Sequence, residues 1–128
     1  MFSICSAQVN KTVLDGIYTE EQAKRGGTTY QDKCSGCHSA DLTGGGFAPA
    51  LIEEPFTGQW IDHPVDELVT IVKGTMPADR PGNLSDDAYA DIVAFLLKMN
   101  GYPAGQQLLP TDSTALKQIV FKKPTPGK

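Results

Sequence analysis

Apolar residues recur with a helical period in two clean places along the chain. In "PVDELVTIVKG", Val65, Leu68, Val69 and Val72 fall at i, i+3, i+4 and i+7, the stripe of an amphipathic helix. Pro64 suits its first turn, and Lys73 and Gly74 mark its end. In "SDDAYADIVAFLLKMNG", Ala88, Ile92, Phe95, Leu96 and Met99 line one face. Ser85 caps that helix, Asp86 and Asp87 complement its dipole, and Gly101 stops it. A third helix is predicted over "TEEQAKRGGTTYQDKCSGCH" from its start signals. Thr19 followed by Gln22 reads as a capping box, and Glu20 and Glu21 favour the N-terminus. Gly26 and Gly27 are unexpected there, since each costs about 1 kcal/mol against alanine. A helix that keeps them needs close approach by another element.

The connecting stretches carry little regular pattern. Residues 39–60, "SADLTGGGFAPALIEEPFTGQW", form a long turn-rich loop, and loops of that length in a small domain usually wrap something. No alternating strand runs are seen. After Gly101 the chain reads as an extended tail with one short helix near Asp112–Gln118, and "KKPTPGK" reads as disordered. The expectation is therefore an all-α fold of three main helices and long loops.

Composition narrows the function. The 128 residues make one domain the default, with 13 Gly, 9 Pro and 40% apolar content fitting a loop-rich soluble protein. Aromatics are 8%, so a chain this small buries a limited core unaided, and an extra group inside would help. Net charge is −4 and basic residues are scattered with no basic stripe, which gives a nucleic-acid partner little support. No apolar run approaches the roughly 20 residues of a membrane span. "MFSICSAQ" resembles the tail of an export signal, with small residues at Cys5 and Ala7, though a disordered N-terminus reads equally well. Cys5 is given no role.

Chemistry concentrates in residues 34–38, "CSGCH". On a helix Cys34 and Cys37 lie about 60° apart and His38 about 40° past Cys34, so all three leave one face. Two such thiols can meet two vinyl groups of one porphyrin, and the imidazole can then reach the iron. This is the haem-attachment pattern. A zinc site would use Cys34, Cys37, His38 and His63, but adjacent ligands at 37 and 38 make a tetrahedron awkward. A thioredoxin-like pair lacks its βαβ context, and a disulfide is the remaining alternative. For a second axial ligand the candidates are Met76, Met99, His63 and an open position. Met99 sits on the apolar stripe and reads as core. Met76, in the turn-rich "KGTMPADRPG", serves no helix face and is the favoured ligand.

With these residues in view, the chain from about Glu20 to Gly101 resembles the class I c-type cytochromes. CSGCH and the later "GTMP" carry the likeness, with Gly26, Tyr30 and Phe95 matching the family's helix-crossing glycine and aromatics. The resemblance implies one haem c joined through Cys34 and Cys37 and ligated by His38 and Met76. It also implies a crossing in which Gly26 lets Phe95 approach, and a Pro49 carbonyl that orients His38. The segments around "GQW" and "AYADIVAFLLKMNGYPAG" are similar to cytochrome c domains that accompany quinoprotein (PQQ) dehydrogenases. That likeness implies electron transfer from a dehydrogenase to an oxidase or another cytochrome. Trp60 and Arg80 are candidate partners of the haem propionates. The expected organisation is an export-signal remnant or N-terminal extension over 1–18, a cytochrome c domain over 19–102 and a C-terminal extension over 103–128. Covalent attachment occurs outside the cytoplasm, so the expected location is periplasmic. The expected role is a one-electron carrier and not an enzyme. The competing function is a haem enzyme or gas sensor with a displaceable sixth ligand, against which stands the lack of a distal histidine and arginine pair.

Overall fold

Thr19 starts the first long helix as the sequence predicts: its hydroxyl accepts from the Gln22 backbone N–H at 3.0 Å. The computed structural model describes residues 11–46 and 48–124. In chain order it contains β1 (Lys11–Thr12), α1 (Glu20–Lys33), α2 (Ser35–His38), α3 (Phe56–Trp60), α4 (Val65–Thr75), α5 (Asp86–Met99), α6 (Ser113–Leu116) and β2 (Ile119–Val120). The fold is thus all-α in its body, with α1, α4 and α5 as its main helices.

Helices α1 and α5 form the principal crossing. The crossing passes at Gly26, but the group that enters is not the Phe95 ring expected from the sequence. A Cβ on Gly26 would overlap the Asp91 carbonyl, so glycine lets two backbones touch. Phe95 lies instead over Gly27, with its ring 5.3 Å from that of Tyr30. Arg25 clasps Asp91 beside the crossing with two contacts of 3.2 Å, and Asp91 is buried.

Other expectations need correction. The Gln22 side chain does not close a capping box. It turns inward, accepting from Leu109 N–H at 2.7 Å and donating to the Leu109 carbonyl at 3.3 Å. Met99 is 46% exposed rather than core, because the buried face of α5 is centred on Tyr89, Val93, Leu96 and Leu97, and Met99 lies at its edge with the half-buried Ala88 and Phe95. Cys34 interrupts the first helix, so CSGCH spans a break and the short α2 rather than one continuous end. Helix α3 forms within the 39–60 stretch, whose sequence carries no regular pattern.

The two terminal segments meet. Strands β1 and β2 pair in parallel, Lys11 with Ile119 and Thr12 with Val120. Val13, Ile17 and Tyr18 from one side and Leu109, Leu116, Ile119 and Phe121 from the other are buried in the same core as α1, α4 and α5. The short helix expected near 112–118 is α6, capped by Asp112, whose carboxylate accepts from Ala115 N–H at 2.9 Å. The segment reads as an extended tail in sequence, but its scattered apolar residues return it to the body. Cys5, the signal-like stretch and residues 125–128 lie outside the described residues. Among the described residues no helix is long and apolar enough to cross a membrane.

Candidate haem site

Between α2, α3, α4 and α5 lies a cavity of about 740 Å³. That size falls within the range of cofactor pockets. Leu68, Ile71 and Val72 of α4 and Ile92 and Leu96 of α5 make much of its wall apolar. Lys33 is the one charged side chain on that wall among the described residues, apart from any charge on His38.

One side of the wall is built by CSGCH. The backbone folds tightly there, with Cys37 N–H and His38 N–H both donating to the Cys34 carbonyl at 3.2 and 3.0 Å. Cys34, Cys37 and His38 all line the cavity; His38 is 5% exposed. The chain then reverses. Gly44 N–H donates to the His38 carbonyl at 2.8 Å, and residues 45 and 48 form a small antiparallel bridge. Gly44 has φ +84°, and a Cβ there would press on the backbone of Ala48, Pro49 and Ala50. That glycine lets the Pro49 strand come back onto the histidine. The Pro49 carbonyl lies 2.9 Å from His38 Nδ1. A carbonyl can only accept, so Nδ1 carries the proton and Nε2 is the nitrogen left to act as a ligand.

Met76 and Trp60 line the same cavity from other elements. Met76 follows α4 as its C-cap, its N–H bonded to the Val72 carbonyl at 2.8 Å. Trp60 ends α3 and is buried, and its indole Nε1 has no hydrogen-bond partner. Tyr30 also faces the cavity, with its hydroxyl donating to the Ser39 carbonyl at 2.6 Å. Burial, then the nearby Cys34 and Asp41, pushes its pKa up to about 12. Arg80 is exposed and is not on the cavity wall.

The donor set fits a covalently held haem and fits the alternatives poorly. Both thiols are free. Burial first, and Cys37 second, push the Cys34 thiol above its ordinary value, whereas a redox-active CxxC relies on a depressed one. The fourth ligand of the zinc reading is elsewhere: His63 is exposed, with Nδ1 2.8 Å from Glu67 Oε1. Among the described residues no three His, Cys, Asp or Glu side chains gather as a metal cage. The buried, unpartnered indole N–H is the strongest sign of a missing acceptor, because such groups are rare in folded proteins. The sequence reading missed Tyr89, whose buried hydroxyl donates to the Met76 carbonyl at 2.7 Å. Its place on α5 looked no different from that of any other helix aromatic.

A helical body crossed at a glycine, closed around an apolar cavity bearing CSGCH, is the fold and site of a class I c-type cytochrome. The chain belongs to the family described as cytochrome C oxidase, cbb3-type, subunit III, which matches residues 21–96. Membership implies a covalently bound haem c. The chain is 34% identical over 79 residues to cytochrome c-551 of Bacillus subtilis, covering 62% of this chain and 64% of that protein. It also resembles a chain of the sulfane dehydrogenase SoxCD from Paracoccus pantotrophus, with a TM-score of 0.56 and 19% identity. That likeness covers 94% of this chain and 66% of the other, and it concerns the fold alone. The chain thus spans about two thirds of the length of each.

Proposed function

We propose that this protein is a one-electron carrier with a single haem c, joined through Cys34 and Cys37 and ligated by His38 and Met76. The observation that supports it most is the convergence of CSGCH, Met76 and the orphaned Trp60 N–H on one apolar cavity. A bound haem c supplies reversible one-electron chemistry at its iron. The chain's own residues do the rest. Cys34 and Cys37 anchor through thioethers, which cannot dissociate. His38 coordinates through Nε2 while the Pro49 carbonyl holds its ring and tautomer. Met76 would supply a soft sulfur as the other ligand, which favours the reduced iron. Trp60 would donate to a propionate, and Arg80, exposed and off the cavity wall, is a candidate counter-charge.

With His38 and Met76 both ligating, no position would be left at the iron for oxygen or peroxide. The competing haem enzyme or gas sensor needs a displaceable sixth ligand, and a peroxidase-like site also needs a distal acid and base; no arginine and no second histidine line the cavity among the described residues. The partners fitting this chemistry are redox proteins: a dehydrogenase donor, with the quinoprotein class as the first to test, and an oxidase or cytochrome acceptor. Covalent haem attachment fits an exported, periplasmic protein.

The test is an absorption spectrum of the matured protein, oxidised and reduced, with and without carbon monoxide. Reduced c-type bands unchanged by carbon monoxide are expected. A wild-type spectrum that shifts with carbon monoxide removes the Met76 ligation, and a colourless matured protein removes the haem.

A further inference from the structure

We infer that the segment 117–122 is a clamp that positions the Trp60 indole over the cavity, with Phe121 as its positioning residue. The inference rests on the proposed contact between the Trp60 N–H and a haem propionate. Helix α3 cannot fix the indole by itself: it has five residues and no side-chain cap at its start, and helices so short are marginal alone. The residues that follow Trp60 are held instead from the far end of the chain. Phe121 N–H donates to the His63 carbonyl at 2.9 Å, and Asp62 N–H donates to the Phe121 carbonyl at 2.8 Å. The backbone of Phe121 therefore brackets the turn that leaves Trp60, where Asp62 takes a left-handed φ of +70°.

The side chains repeat the arrangement. The Phe121 ring is buried and lies 6.2 Å from the indole, tilted by 37°. It lies 6.2 Å from Tyr102 on another side, nearly edge-on at 67°. Tyr102 is itself fixed, because its hydroxyl donates to the Lys122 carbonyl at 2.7 Å. Strand β2 anchors the whole segment, with Lys11 N–H on the Gln118 carbonyl at 2.9 Å and Val13 N–H on the Val120 carbonyl at 3.1 Å. The indole is thus held between the cavity and an aromatic backing that belongs to the C-terminal segment.

Orientation matters because a hydrogen bond weakens steeply once its donor turns away from the acceptor. A well-aimed N–H offsets the negative charge of a propionate, and that charge favours the oxidised iron. Loosening the clamp therefore lowers the reduction potential without touching a ligand.

The experiment uses the haem-loaded protein and the variants Trp60→Phe, Phe121→Ala, Phe121→Leu and the double Trp60→Phe/Phe121→Ala. Trp60 is the chain's one tryptophan, so its emission, quenched by a neighbouring porphyrin, reports its own position. The expected result is a lowered midpoint potential in Trp60→Phe and in Phe121→Ala, with no further lowering in the double variant. Tryptophan emission rises in Phe121→Ala. Phe121→Leu, which keeps more of the packed volume, shows both effects more weakly and carries the test if the alanine variant does not fold. If Trp60→Phe lowers the potential while folded Phe121 variants keep the parental potential and emission, the clamp is refuted alone. If Trp60→Phe leaves the potential unchanged, the propionate contact fails, and the clamp has no group to position.

Discussion

The Tyr89 hydroxyl donates to the backbone carbonyl of Met76 across 2.7 Å. Met76 is also tied to α4 through its N–H, so its backbone is pinned between α4 and α5. Tyr89 is buried and further accepts from Leu84 N–H at 3.4 Å. Tyr89→Phe keeps the ring and removes the donor, leaving the Met76 carbonyl with just the longer contact from Gly82 N–H at 3.4 Å. A loss of about 0.5–1.5 kcal/mol is expected, the usual worth of one hydrogen bond whose acceptor keeps a second contact. Urea unfolding checks it, and imidazole titration of the oxidised protein should show easier entry at the iron. Parental values in both would mean that Tyr89 does not restrain the loop.

Removing the sulfur itself has a different signature. Met76→Ala should leave the fold close to intact, because Met76 lies at the cavity wall rather than in the buried cluster. The reduced protein should now bind carbon monoxide, and its midpoint potential should fall with the loss of the thioether. Spectra and potentiometry read both changes. Identical carbon monoxide binding before and after the substitution would take Met76 out of the coordination sphere.

The glycine pair in α1 separates two kinds of crowding. At Gly26 an added Cβ meets the Asp91 carbonyl, and backbone cannot swing aside, so the helices must part. Gly26→Ala should destabilise the fold by about 1–3 kcal/mol, the usual cost of overpacking, despite the better helix propensity of alanine. At Gly27 the added Cβ meets the Phe95 ring at 3.0 Å, and a half-exposed ring can give way. Gly27→Ala should therefore stay within about 1 kcal/mol of the parent, propensity offsetting the contact. Denaturant midpoints for the two variants decide it, and equal midpoints would remove the distinction.

Much of this architecture is legible because local rules dominate where the helices are long. In α4 the spaced Val65, Leu68 and Val69 are the buried side chains, and in α5 the Ser85 hydroxyl accepts from Ala88 N–H as its position predicts. The haem motif is legible because its chemistry depends on spacing within five residues. What escapes the sequence is whatever depends on distant partners. Helix α3 is little more than a single turn, and one i, i+4 pair, Phe56 and Trp60, is too short a pattern to mark a helix. Strands of two residues cannot display alternation. Leu109, Leu116 and Phe121 belong to apolar runs of two or three residues in an otherwise polar stretch, too short to show a period, and their burial follows from long-range closure. Met99 differs for another reason: α5 has two apolar flanks, and the buried one passes through Val93 and Leu97, leaving Met99 at the edge.

The terminal segments carry a pH dependence. Burial, then Glu20, pushes the Tyr18 hydroxyl up to about 12, and burial, then Glu54, does the same for Tyr102. A raised folded pKa means the native state holds the proton more tightly than the unfolded chain, whose tyrosines titrate near 10. Their stabilising contribution is complete below about pH 10 and is lost as pH rises towards 12. Unfolding midpoints measured from pH 8 to 12 should fall over that upper window, and Tyr18→Phe/Tyr102→Phe should flatten the fall. An unchanged slope in the double variant would assign the alkaline loss to other groups.

Gln22 offers the most direct test of how the C-terminal segment is attached. It is 2% exposed, and its amide makes both a donor and an acceptor bond with the backbone of Leu109. The geometry matches a peptide unit bonding to another peptide unit, which no aliphatic side chain can imitate. Gln22→Leu keeps the approximate volume but strands a buried N–H and a buried carbonyl of Leu109. Each such group costs about 1–3 kcal/mol when left without a partner. The variant should lose stability by at least that amount, and amide exchange should quicken first at Leu109. Gln22→Glu keeps the acceptor but loses the donor and places a carboxylate in a buried site, so its loss of stability should shrink as pH falls and the carboxyl takes up a proton. Protection at Leu109 unchanged in Gln22→Leu would show that the segment is held by its hydrophobic contacts alone.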